Sequence, residues 1–111
     1  MRAGLSRDGR EVQEPEIEVL VQRDCLGGER VIEVRLPTPV SEAALASIEG
    51  GGDPVILRSA PRPFFRVDVP GAFLVSGIVG DTRVRYTVRL ARRVEAREIA
   101  VGSARRLAQS S

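Results

Sequence analysis

The chain predicts an α+β fold with a mostly antiparallel sheet, made of a β-hairpin, one short helix and a three-stranded meander. Three observations lead there. Runs of strand length, alternating or wholly apolar, recur between Glu16 and Leu90. Turn-forming pairs, Pro70-Gly71 and Gly80-Asp81, separate the last three of them. Only one stretch, TPVSEAALASIEGGG, carries helix-capping residues at both ends.

In chain order, EIEVLVQRD alternates Ile17, Val19 and Val21 with Glu16, Glu18, Leu20 and Gln22. RVIEVRL alternates Ile32, Val34 and Leu36 with Val31, Glu33 and Arg35. Both read as half-buried strands. Pairing Val21 with Ile32, Val19 with Val34 and Ile17 with Leu36 leaves the four-residue loop Cys25–Gly28 and sets Glu18 across from Arg35 on the outer face. In the helical stretch, Ser41 (or Thr38 followed by Pro39) serves as N-cap, Val40 and Leu45 have the spacing of a hydrophobic staple, and the glycines from Gly50 stop the helix. At about nine residues and roughly 14 Å it covers part of one sheet face.

PVILRS is a brief apolar segment, and the prolines of APRP predict an extended crossing after it. The meander follows as FFRVDV, FLVSGIVGD and TRVRYTVRL. Its register comes from parity. A two-residue Gly80-Asp81 loop sets Phe73, Val75, Gly77 and Val79 opposite Val88, Tyr86, Val84 and Thr82, on the face that alternation marks as core. A two-residue Pro-Gly loop would push Asp68 into that core, whereas a three-residue loop, Pro70–Ala72, places Val69 opposite Phe73 and Phe65 opposite Gly77. The odd loop is expected, and Gly77 then makes room for the Phe65 ring rather than contacting a ligand.

Composition narrows the chemistry. With 42% apolar and 29% charged residues, the chain has the make-up of one soluble domain. It has no histidine, which removes the commonest zinc ligand and the usual general base. Its single cysteine rules out an internal disulfide and any multi-thiolate metal site. No catalytic, cofactor-binding or metal-ligating residue is expected. No signal-peptide core or membrane span is legible, and a cytoplasmic location is expected. All 17 basic residues are Arg, and they are unevenly placed. Residues 1–55 hold six Arg against eleven acids, whereas residues 56–111 hold eleven Arg against four. The halves attract each other, or the basic half attracts a partner.

Several motifs have bland explanations. EGGGD leaves a helix and enters a strand, the reverse of a phosphate loop, so it reads as a helix stop and linker. Cys25 sits in a hairpin loop between Asp24 and Glu29, an acidic setting that disfavours a thiolate, and reads as an incidental surface thiol rather than a redox carrier. Arg83, Arg85 and Arg89 read first as a solvated face paired with acids of the first hairpin.

The outer face of the meander carries the functional expectation. Phe64, Leu74 and Ile78 share it with Arg66, Ser76, Arg83 and Arg85, so it is apolar and cationic together. Such a patch marks an interaction site unless residues 94–108 fold back over it. Phe64, Arg66, Leu74, Ile78, Arg83 and Arg85 are the candidate surface.

The strand–strand–helix opening resembles the β-grasp folds of ubiquitin-like proteins over roughly the first half of the chain. No diglycine ends the chain, so a conjugation or sulfur-carrier role does not follow. A ferredoxin-like sandwich is the competing fold. The expected organisation is a flexible arm over 1–14, an α+β domain over 15–93 and a basic segment over 94–111 that packs on the domain or is partly disordered. The expected role is a small non-enzymatic module that self-associates, most simply as a dimer, or docks on a partner protein. The alternative is nucleic-acid binding by the basic C-terminal half, against which stand only four aromatic residues and a net charge of +2.

Overall fold

The computed structural model describes residues 16–25, 27–48, 50–58, 61–89 and 92–111. The arm over 1–14 and Leu90 lie outside them. Among the described residues six strands, β1 (Glu18–Asp24), β2 (Arg30–Arg35), β3 (Val55–Leu57), β4 (Phe64–Val69), β5 (Phe73–Ile78) and β6 (Arg83–Val88), form one sheet in the order β1-β2-β6-β5-β4-β3. Every neighbouring pair is antiparallel. One α-helix, α1 (Arg93–Ser110), follows the sheet, which makes the fold α+β. The α+β class holds, while this element order confirms neither of the finer fold types expected from the sequence. A ferredoxin-like chain interleaves helices with strands, whereas among the described residues all six strands precede α1. The hairpin behind the ubiquitin-like resemblance is present, but only a 3-10 helix follows it.

The register of β4, β5 and β6 follows from alternation and turn chemistry. Val69 lies opposite Phe73 and Phe65 opposite Gly77 across Pro70–Ala72, a loop closed by the Ala72 N–H donating to the Val69 carbonyl at 3.0 Å. Phe73, Val75 and Gly77 face Val88, Tyr86 and Val84. A Cβ on Gly77 would stand 3.0 Å from both the Phe65 ring and the Arg83 carbonyl oxygen, so glycine admits the ring. Past Gly77 the ladder opens. The Val79 N–H donates to Pro63 and the Thr82 carbonyl accepts from Leu36, so four residues, Val79–Thr82, connect β5 and β6 instead of the expected two.

The first hairpin departs further. Glu18 faces Arg35 and Val19 faces Val34 as expected, but a bulge at Leu20 adds one residue to β1. Val21 therefore faces Glu33 rather than Ile32, and Gln22 takes the place opposite Ile32. The loop lengthens to Cys25–Glu29, tied by the Cys25 N–H donating to the Glu29 carbonyl at 2.8 Å.

The nine-residue helix expected near Ser41 is a five-residue 3-10 helix, Ala43–Ser47. The N-cap is Glu42, without a side-chain cap, rather than the expected Ser41, although the Ser41 hydroxyl accepts from the Ala44 N–H at 3.2 Å. Tertiary bonds cut it short. The Val40 N–H donates to the Asp81 carbonyl at 2.9 Å, the Val40 carbonyl accepts from Gly80 at 2.8 Å, and Ile48 turns extended to bury its side chain. Beyond it, a Cβ on Gly51 would stand 2.8 Å from Val67 Cγ1, so only glycine lets this linker lie against β4.

The α-helix of the fold is instead α1, packed on β2, β6 and the 3-10 helix. Its buried face is small: Ala96, Ala100, Ser103, Ala104, Leu107 and Ala108. Methyl-sized side chains allow the helix to approach closely, and the gap that remains holds Tyr86. Tyr86 is fully buried, meets Phe73 edge-on at 5.4 Å between ring centroids, and donates its hydroxyl to Ser103 Oγ at 3.0 Å. Burial pushes its phenol up to about 12, outweighing the Ser103 bond and the nearby charge of Arg106.

Two expectations follow. Because folded Tyr86 holds its proton more tightly than the unfolded chain does, its contribution is fully present below about pH 10 and is lost as pH rises towards about 12, at roughly 1.4 kcal/mol per unit. Urea unfolding from pH 8 to 12 should show this loss, and Tyr86→Phe should remove that part of the slope; equal slopes would refute it. Gly77→Ala should destabilise by about 1 to 3 kcal/mol through overpacking against Phe65, read from the shift in denaturant midpoint.

Candidate functional site

Strand alternation places the expected surface residues on the face opposite Tyr86. Leu57, Phe64 and Ile78 form one row across β3, β4 and β5. Val55, Arg66, Ser76, Arg85 and Glu33 form the next, from β3 through β6 to β2. Asp68, Leu74 and Thr87 make a third. Helix α1 sits on the other face with the core, so residues 94–108 do not fold back over the patch; their buried alanines pack with Ile32 and Tyr86 instead.

The structure brings four of the six candidates together. Phe64, Ile78, Arg83 and Arg85 line an open depression of about 330 Å³, with Glu33 and Ser76. Arg66 and Leu74 share the face but not the depression: Arg66 pairs across to Ser76, and Leu74 stands between Asp68 and Thr87. The apolar side chains Phe64, Leu74 and Ile78 are half-buried.

Charge across the face is partly cancelled. Arg83 and Arg85 donate to separate oxygens of one carboxylate, Glu33, at 3.3 and 3.0 Å. Glu33 is 18% exposed, while both arginines are more than half exposed. Two guanidinium groups thus share one acid of the first hairpin, as alternation implies. Arg89 differs, donating to Asp68 of β4 at 3.2 Å rather than to the hairpin. Arg66 has no ion pair among the described residues. The combination offers apolar contact with a modest surplus of positive charge.

Two side chains on this face escape a reading of the meander alone. Val55 and Leu57 on β3 are 54% and 53% exposed; Leu57 extends the apolar row beyond Phe64, and Val55 adds an apolar side chain beside Arg66. Their apolar run is visible in PVILRS, but which face they occupy depends on pairing with β4.

Cys25 is half-buried in the hairpin loop and unpaired. Among the described residues no cluster of three or more His, Cys, Asp or Glu could hold a metal, and no helix is long and apolar enough to cross a membrane. Compared with protein-family models, curated proteins and solved structures, the chain finds no match.

Because Glu33 already occupies Arg83 and Arg85, binding of single-stranded DNA or RNA should be weak, on the order of 100 μM or worse near physiological salt. Fluorescence anisotropy with labelled oligonucleotides measures it. Submicromolar binding that is lost in the Arg83→Glu, Arg85→Glu double variant would instead make the face a nucleic-acid site.

Proposed function

We propose that the chain is a small non-enzymatic module that docks protein, a second copy of itself or a partner, through the outer face of β4, β5 and β6. One observation carries this reading: Phe64, Ile78, Arg83 and Arg85 converge on one open depression on a sheet face that α1 leaves uncovered. An apolar floor excludes water from a contact, and a cationic rim steers and orients what lands on it. The six surface residues, Phe64, Arg66, Leu74, Ile78, Arg83 and Arg85, divide those roles by side-chain type. The absence of histidine and the engagement of Glu33 by two arginines leave this face poorly equipped for general acid–base work.

Self-association is the most direct test, because an isologous contact buries the same patch on both copies. Light scattering over a concentration series should give a mass above the 12.0 kDa of one chain, falling when Phe64 is replaced in Phe64→Ser. A mass that Phe64→Ser leaves unchanged at every concentration would remove self-association through this face.

A further inference from the structure

Six arginines lie between Val55 and Arg89, and among the described residues five of them are held by carboxylates. Arg58 pairs with Glu42, Arg62 with Asp81, Arg83 and Arg85 with Glu33, and Arg89 with Asp68. Arg66 is the exception. It is exposed and has no ion pair among the described residues.

The exception falls where the outer face is most apolar. In its own row Arg66 stands between Val55 of β3 and Ser76 of β5. Leu57, Phe64 and Ile78 form the row on one side, and Leu74 stands in the row on the other. Neighbours within a row, or diagonally in the next, lie within about 8 Å of one another, inside the reach of a long side chain. Asp68 shares the row of Leu74 but is engaged by Arg89 at 3.2 Å. A full positive charge is therefore set among Val55, Leu57, Phe64, Leu74 and Ile78 without an acid of its own.

The chemistry of the occupant follows from that placement. Whatever covers these apolar side chains also takes the Arg66 guanidinium out of water, which is costly unless an anion arrives with it. A carboxylate fits the guanidinium with two parallel hydrogen bonds and is little screened inside such a contact. One cation calls for one anion. A nucleic-acid strand presents a phosphate at every nucleotide and is held by many free cations, whereas Arg83 and Arg85 are already occupied by Glu33. A second copy meeting this face with its own brings no spare carboxylate, because the outer-face acids of the strands, Glu18, Glu33 and Asp68, are each paired with arginine.

We propose that Arg66 is the anchor for a carboxylate of a partner protein, carried on a segment in which a single Asp or Glu has apolar side chains on both sides. The acid sits on Arg66, one apolar flank enters the depression at Phe64 and Ile78, and the other covers Val55 or Leu74. Given the docking role of the outer face, on which this assignment rests, Arg66 selects the partner and the apolar rows supply the contact area.

A phage-displayed library of random dodecapeptides, selected on the folded full chain and depleted on the Phe64→Ser protein, tests it. The surviving peptides should carry an Asp or Glu flanked by apolar residues. Made synthetically, they should lose about tenfold or more in affinity against Arg66→Gln, and as much when their acid is replaced by its amide. The two changes together should cost about as much as either alone, because both remove the same contact. Circular dichroism confirms that the variants are folded. Surviving peptides that lack an acid, that bind Arg66→Gln as tightly as the unaltered protein, or whose losses simply add overturn the assignment and leave the face a docking surface. If no peptide survives depletion, the assignment is overturned as well. Self-association abolished by Phe64→Ser would then keep the docking role with a second copy, and its absence would remove both.

Discussion

The close approach of α1 to β2 and β6 is the constraint on which the rest of this fold depends. It exists because the buried face of the helix is mostly alanine and serine, at Ala96, Ala100, Ser103, Ala104 and Ala108, with Leu107 as its one large buried side chain among the described residues. Those small residues leave a space that one large side chain fills, and Tyr86 fills it from the middle of the sheet. A phenol so placed must find a partner for its hydroxyl, since a buried unpaired donor costs about 1 to 3 kcal/mol. Ser103 is that partner. The bond fixes helix register as well as satisfying polarity, and with α1 seated over β2 and β6, the linker between β2 and β3 is left to cover β4. Gly51 permits the second of these and Val40, bonded to the turn at Gly80 and Asp81, anchors it.

That division explains the character of the other face. Among the described residues, α1, the 3-10 helix and the linker after it lie on the Tyr86 side, so there the outer face keeps whatever its strands present. Near β2 and β6 that is charge, held in a lattice of exposed pairs in which Glu33 serves Arg83 and Arg85, and Arg35 meets Glu18 at 3.2 Å. Exposed pairs of this kind contribute little to stability, so their effect is on what the surface accepts rather than on whether the domain folds. Near β3, β4 and β5 the face is apolar, through Leu57, Phe64 and Ile78. One sheet therefore presents two chemically different halves, with Arg66 and Ser76 on the boundary.

What was legible in the residues, and what was not, has a physical pattern. The pairings of Phe65 with Gly77 and of Val75 with Tyr86 could be read because side-chain parity in a half-buried strand allows few registers, and Asp68 excludes one of them. The bulge at Leu20 could not, because an extra residue in a strand leaves the local alternation intact and shows itself only against a partner. Helix α1 was hidden because two of its larger apolar residues, Val94 and Ile99, point outward while its buried stripe is mostly alanine, with Leu107 near its end. Counting alanine as apolar would have exposed the spacing of Ala96, Ala100, Ala104 and Ala108, one helical repeat after another. The candidate surface was half legible: Phe64, Ile78, Arg83 and Arg85 converge as parity implies, while the contribution of Val55 and Leu57 waits on a strand too short to announce its own pairing.

The antiparallel junction of β2 with β6 also governs time. Arg30 pairs with Val88 and Arg35 with Arg83, residues that the chain supplies about fifty positions apart. Until β6 has been made, the hairpin of β1 and β2 has no sheet to join, and Ile32 and Val34 have nothing to pack against. The helix that closes the core is later still. Closing a loop of that length before any contact across it forms is an entropic barrier, and chains dominated by such pairings fold in milliseconds to seconds rather than microseconds. During synthesis at about 5 to 20 residues per second, the first half of this domain therefore spends several seconds as an exposed apolar hairpin. Its dense acidic charge then acts as a solubilising coat for a piece that is waiting for its other half.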